Sequence, residues 1–205
     1  MDFTLYHPFT LICIAPTQSG KTTLILDFIT RRDEIISEHL SQVIYVYGAY
    51  QKAFDNRKDI IFVPSIAELE KIVCPKSLVI FDDLMVELSG RQNNFIVDWV
   101  TKKSHHNSIS TVIILHNAFQ KNFRTVFINC QYMVFFDQIK DQTTIVNIAK
   151  QFCPGKSKYL VSAYKQATRK PYGYLFFDYH PKGTAEYRIR NSIFPSKDCE
   201  VYVPE

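Results

Sequence analysis

Apolar runs of about five or six residues alternate along the chain with segments whose apolar positions recur every three or four, the pattern of an α/β protein. Phe9 to Ile14 (FTLICI) carries no charge and reads as a buried strand. Leu24, Ile25, Phe28 and Ile29 then repeat at helical spacing, with Arg31 and Arg32 placed in the last turn, where cations suit the helix dipole. Gln42 to Tyr47 and the shorter Asp59 to Val63 read as further strands. Ser65 with Glu68 forms a capping-box signature for a helix burying Ile66, Leu69, Ile72 and Val73, stopped by Pro75. Ser77 to Asp83 (SLVIFDD) is a strand running into two carboxylates. Gln92 to Lys103 reads as a helix with Phe95, Ile96, Trp99 and Val100 on one face, followed by a solvated loop at Ser104 to Asn107.

The second half continues the alternation. Ser110 to Leu115 and Gln131 to Phe136 are predicted strands, with a helical turn beginning at Arg124 between them. Asp141 caps a helix that buries Ile145, Ile148, Ala149 and Phe152 and is closed by Pro154-Gly155. A second helix over about Ser157 to Thr168 buries Leu160, Val161 and Tyr164. Tyr172 to Tyr179 is the last long strand, and Tyr187 to Ile193 alternates like an edge strand with Arg188 and Arg190 on one face. No repeat, low-complexity tract or linker interrupts the sequence, so one domain over residues 1–205 is expected.

Two stretches carry chemistry. Ala15 to Thr22 (APTQSGKT) lies between the first strand and the first helix, the context of a P-loop. Backbone N–H groups at a helix N-terminus face phosphate oxygens, and Gly20 lets the main chain come close. Lys21 would reach the β- and γ-phosphates and the Thr22 hydroxyl would ligate Mg²⁺. Ala15, Pro16, Thr17, Gln18, Ser19, Gly20, Lys21, Thr22 and Thr23 are therefore the candidate nucleotide-binding residues. Ala15 stands where the usual pattern has Gly, which requires a negative φ there. The second stretch, SLVIFDD, has the form of a Walker B strand expected beside the P-loop strand. Asp82 would hold Mg²⁺ through water, and Asp83 would orient or deprotonate the attacking water. Asn117, after the strand at Ser110 to Leu115, is the candidate γ-phosphate sensor, with His116 a second choice. Arg124 is a candidate arginine finger for a neighbouring subunit, against Arg91, Arg169, Arg188 or Arg190.

Composition narrows the class. Hydrophobic residues make up 46% and charged residues 21%, ordinary for a globular protein. No window approaches a membrane span, and MDFTLYHPFT has neither the basic start nor the apolar core of a secretory signal. The five cysteines are odd in number and widely spaced, which favours a reduced intracellular compartment over a disulfide framework or zinc site. The net charge of +4 matters less than its distribution. Between Asp141 and Asp178 there is no acidic residue, while Lys150, Lys156, Lys158, Lys165, Arg169 and Lys170 are basic, and Arg188 and Arg190 extend the run. With Lys102 and Lys103, the residues Lys156, Lys158, Lys165, Arg169 and Lys170 are candidates for contacting a DNA backbone without reading sequence, the alternative being a solvated lysine-rich face.

With both motifs in place the chain resembles the genome-packaging ATPases of double-stranded DNA viruses and virus-like mobile elements, within the FtsK/HerA superfamily and including the poxvirus-type packaging ATPase. The residues that carry the resemblance are APTQSGKTT (Ala15 to Thr23), LVIFDDLM (Leu78 to Met85), TKKSHHNSISTVIILHNAF (Thr101 to Phe119), CPGKSKYLVSAYKQATRKPYGYLFFD (Cys153 to Asp178) and RIRNSIFP (Arg188 to Pro195). Relatives usually carry Gln where His116 stands. The resemblance implies a RecA-like P-loop fold, with a mostly parallel central sheet, helices on both faces and a C-terminal edge strand or hairpin. It also implies ATP and Mg²⁺ as cofactors, double-stranded DNA as partner and a homo-oligomeric ring, commonly of about five or six subunits. Viral capsid or packaging components would be further partners. The implied location is the infected host cell, nucleus or cytoplasm, and the virion.

Two other classes fit parts of the sequence. A small P-loop nucleotide kinase shares the loop and the length, but no acceptor-nucleotide site is evident and paired aspartates suit hydrolysis. A degenerate P-loop protein acting as a DNA-binding scaffold would have lost Lys21, Thr22 or Asp82, and all are present. A switch GTPase would need an Asn-Lys-x-Asp motif, which the chain lacks.

Overall fold

The uncharged runs form one sheet because each can bury both faces, as parallel strands must. A computed structural model describes residues 3–48, 52–82, 93–116, 124–139 and 141–203. Its strands are β1 (Thr10–Ile14), β2 (Gln42–Tyr47), β3 (Ile61–Val63), β4 (Ser77–Asp82), β5 (Ser110–Leu115), β6 (Tyr132–Phe136), β7 (Tyr174–Asp178) and β8 (Ile189–Arg190). They lie in the order β3-β2-β4-β5-β1-β6-β7-β8, with β1 to β6 parallel and β7 and β8 antiparallel at one edge. This order corrects one expectation. The strand ending in Asp82 is not beside the P-loop strand, because β5 pairs with both and separates them.

Period-two alternation sorts the strand residues into two cores. One face carries Leu11, Cys13, Tyr45, Ile80 and Ile114 against Leu24, Ile25, Phe28 and Ile29 of helix α1 (Lys21–Thr30) and Ile35 of α2 (Arg32–Ile35). The other packs Ile12, Val79, Phe81 and Phe135 against α3 (Ile66–Ile72), α4 (Asn93–Asp98), α6 (Arg124–Asn129), α7 (Gln142–Phe152) and α8 (Ser157–Ala167). Helices thus cover both faces, and the antiparallel β7–β8 pair forms the C-terminal edge.

Several local expectations change. Arg31 caps α1 and Arg32 opens α2, so neither lies in the last turn of α1. Ser65 does cap α3, its Oγ accepting from Glu68 N at 3.3 Å, but Leu69 alone of the four expected residues is buried. The short strand at 61–63 begins two residues later than Asp59. Ser104–His106 is a helical turn (α5) rather than a loop, reached through a π-helical Trp99–Lys103. That segment buries Trp99 and Val100 with Ile96, and the Trp99 indole N–H donates to Thr111 Oγ1 at 3.0 Å. Asp141 caps α7 by accepting from Thr144 N at 3.2 Å. Tyr172 and Gly173 precede β7 instead of belonging to it, and the expected strand over Tyr187 to Ile193 shrinks to Ile189–Arg190.

Arg190 explains that last change. Its side chain is wholly buried, with the guanidinium 4.3 Å from the ring centres of both Phe3 and Phe176 and 3.9 Å from Asp178 Oδ2. It donates to the carbonyls of Tyr187 and Ser192, which ties the chain into a buried knot where a regular edge strand was expected. Arg190 therefore cannot extend an exposed basic face.

Candidate functional site

The segment between β1 and α1 is built for an anion. Ala15 is fully buried, its N–H donating to Leu115 O at 2.9 Å, and its φ is not positive, so alanine fits where glycine was usual. The left-handed conformation falls instead on Gln18 (φ 63°) and Gly20 (φ 92°). Left- and right-handed residues in succession turn backbone N–H groups into a common concavity. Gly20 is the N-cap of α1, and no side chain caps it. The first regular bond of the helix runs from Leu24 N to Gly20 O, so the initial turn presents its amides to the loop. Ser19 Oγ, in the same loop, is buried with no hydrogen-bond partner among the described residues. A phosphate chain supplies acceptors that suit these groups.

Asp82 reaches this loop from the far side of β5. It pairs in register with Ile114, which pairs with Cys13 of β1, so the Asp82 backbone lies about 9.5 Å from β1, two strand spacings away. Alternation puts its carboxylate on the α1 face, where it is 3% exposed and Oδ2 accepts from the Tyr45 hydroxyl at 2.6 Å. The buried Cys13 thiol reports both charges. Burial pushes it up to about 12, Asp82 adds to the rise, and the Lys21 ammonium opposes it. A hard divalent cation is commonly held by one or two side chains plus phosphate oxygens. A hydroxyl from Thr22 and a carboxylate from Asp82, with phosphate oxygens between, fit that demand.

Two cavities flank the loop on its other side. One of about 630 Å³ lies between the first turn of α1 and the ends of β6 and β7, lined by Gly20, Lys21, Thr23, Phe136, Tyr172 and Tyr174. The other, about 440 Å³, joins Pro16 to Ser19 with Arg169 and Lys170. His116 lines a third, of about 660 Å³, with Pro16, Thr17 and Asp137.

No protein-family model matches the sequence, and no curated protein matches it. Solved structures do. The genome packaging NTPase B204 of Sulfolobus turreted icosahedral virus 2, in complex with ATP-γS, superposes with a TM-score of 0.58 at 12% identity over 96% of this chain and 97% of that one. Its complex with AMPPCP gives 0.58 at 13% over 97% and 98%. B204 of Sulfolobus turreted icosahedral virus, a DNA-packaging ATPase, gives 0.56 at 14% over 97% and 99%. The chain has the fold of the viral genome-packaging NTPases. At this identity the likeness speaks for the packaging-NTPase fold along nearly the whole chain, and the site rests on its own geometry.

The candidate residues divide accordingly. Ala15 to Thr23 and Asp82 gather at the C-terminal end of the parallel strands. Asp83 and Asn117, like Arg91, lie outside the described residues. Arg124 is exposed as the first residue of α6, available to a neighbouring molecule. The basic candidates are all exposed but not equivalent. Lys102 pairs with Asp98 at 3.1 Å, Lys103 with Glu70, and Arg169 with Glu200 at 3.6 Å, so part of their charge is answered within the chain. Arg169 and Lys170 border the candidate phosphate loop, whereas Lys156 and Lys158 start α8 at its opposite end, about 16 Å away along the helix axis. Sequence reasoning missed Tyr45 and Tyr172. A tyrosine inside a fully apolar strand needs a partner for its hydroxyl, and Lys170-Pro171-Tyr172-Gly173 has the order of a tight turn; both were available signals.

Proposed function

We propose that the protein is an ATP-hydrolysing motor that moves double-stranded DNA into a viral capsid, working as a ring of identical subunits in the infected cell. One arrangement supports the reading: α1 starts with Lys21 and Thr22 and β4 ends with Asp82 at the same end of the sheet, Asp82 on the α1 face, and the charges of Lys21 and Asp82 both act on Cys13. The loop amides and Lys21 bind the β- and γ-phosphates, and Thr22 and Asp82 hold Mg²⁺. Bound there, Mg²⁺ would supply charge neutralisation for the phosphate oxygens. Asp83 orients the attacking water and takes its proton, as Asn117 senses the γ-phosphate. Arg124, exposed on α6, completes the site of the adjacent subunit. An arginine finger contributes about 10³- to 10⁵-fold in rate, so the isolated subunit is a slow ATPase. Loss of the γ-phosphate loosens the subunit interface, and the exposed lysines of α8 shift on the DNA backbone.

The test is phosphate release with and without duplex DNA, with mass photometry on the same sample. Expected are DNA-stimulated release, specific activity that rises with protein concentration, and loss of release in Lys21→Ala. Unchanged release in Lys21→Ala overturns the site. Phosphoryl transfer to nucleoside monophosphates in place of release would reveal a kinase.

A further inference from the structure

Among the described Phe, Tyr and Trp side chains, Tyr172 alone is exposed, 71% accessible, and it is held in a conformation that tyrosine disfavours. Pro171 and Tyr172 occupy the central positions of a turn closed by Gly173 N donating to Lys170 O at 3.0 Å. Proline followed by a residue with positive φ is the type II order, and the second place normally goes to glycine or asparagine. Tyr172 sits there at φ 63°. The next position admits no side chain, since a Cβ at 173 would lie 2.4 Å from Ala167 O. The turn thus presents a large ring to solvent at a cost in backbone energy.

The ring is placed with respect to the phosphate loop. A Cβ at Gly20 would come within 3.0 Å of Tyr172 Cδ1, so the ring lies directly over the α1 N-cap. Tyr172, Tyr174 and Phe136 form the aromatic wall of the 630 Å³ cavity whose other wall is Gly20, Lys21 and Thr23. Sheet order then fixes a direction. Asp82 lies on the β5 side of the P-loop strand, and β6 and β7 lie on the other. A nucleoside triphosphate whose γ-phosphate faces Asp82 must extend its base toward β6 and β7, into that cavity.

We propose that Tyr172 is the platform on which the base of the bound nucleoside triphosphate stacks, and that its left-handed turn exists to hold the ring there. The inference rests on the reading of Lys21 and Asp82 given above and assigns the opposite end of the same ligand. Stacking acts through the ring face, so the hydroxyl is dispensable and phenylalanine or tryptophan can substitute.

The experiment titrates Mg-ATP and Mg-tripolyphosphate into wild type, Tyr172→Ala, Tyr172→Phe, Tyr172→Trp and Lys21→Ala by calorimetry. Tripolyphosphate has the charges and no base. Tyr172→Ala is expected to weaken ATP about 5- to 150-fold, the range for loss of one base–aromatic stack, while tripolyphosphate binds as in wild type. Tyr172→Phe and Tyr172→Trp should retain ATP affinity. Unchanged ATP binding in Tyr172→Ala, with Lys21→Ala still defective, overturns the platform and leaves the phosphate site standing. Equal weakening of both ligands in Tyr172→Ala also overturns it, by showing that the ring merely shapes the loop at Gly20. A Lys21→Ala variant that binds both ligands like wild type removes the phosphate site and the platform together.

Discussion

The Tyr45 hydroxyl, donating to Asp82 Oδ2, stops the candidate metal-holding carboxylate from rotating. Groups that orient a metal ligand commonly contribute about 10- to 100-fold in metal affinity. Tyr45→Phe is therefore expected to raise the Mg²⁺ concentration for half-maximal ATPase activity about tenfold or more, with a smaller change at saturating metal; a Mg²⁺ titration checks it. His7 offers a test that is independent of nucleotide. Burial holds its pKa below the ordinary 6.5, against a partial rise from Glu38, so the folded state favours the neutral ring. The unfolded chain then binds the proton more readily in the window below 6.5. This group's contribution to stability is full above 6.5 and lost as pH falls toward its folded value. His7→Asn should flatten the decline in Tm between about pH 7 and pH 5. Motif spacing singled out Lys21, Thr22 and Asp82 as candidates, and the three lie at the C-terminal end of the parallel strands. Tyr45 and Arg190 were not, because their roles depend on residues 37 and 12 positions away that only folding brings close.

Elements were read most faithfully where burial is complete. Gln42–Tyr47 and Ser110–Leu115 match their expected bounds because uniform apolar runs leave a strand no alternative. Reading failed where polar residues sit in ordered backbone, as at Ser104–His106, and where a buried cation replaces a strand's alternation, as at Arg190. Caps were legible from local chemistry alone. Asp141→Ala removes the acceptor for Thr144 N and should cost about 1 kcal/mol, lowering Tm by about 2–4 °C. At the β7–β8 edge, Arg190→Met leaves Asp178 buried without its cation, while the paired change with Asp178→Leu removes both charges. The single variant is expected to lose about 3–5 kcal/mol and the double variant much less, measured by urea unfolding.

At the scale of the molecule, the class of fold was legible and the strand order was not. Apolar runs specify strands, but the choice of neighbours follows from how crossover helices cover the two faces. The consequence bears on the candidate site. With β5 between β1 and β4, the residues at its end lie midway between the candidate phosphate loop and Asp82, so both halves of the candidate site share one support. Activity that needs a neighbour's arginine should also be complemented. Mixing Arg124→Ala with Lys21→Ala subunits is expected to restore some hydrolysis at shared interfaces, and the absence of any recovery would count against Arg124 as the donated group. The turn at Pro171-Tyr172 carries a last implication for engineering. Tyr172→Gly would relieve about 1–2 kcal/mol of crowding and give back roughly half of that in chain freedom. Such a variant should withstand slightly more heat than its parent yet, on the role proposed for the ring, hold a nucleotide more weakly, so a screen that rewards thermal resistance alone would select against binding.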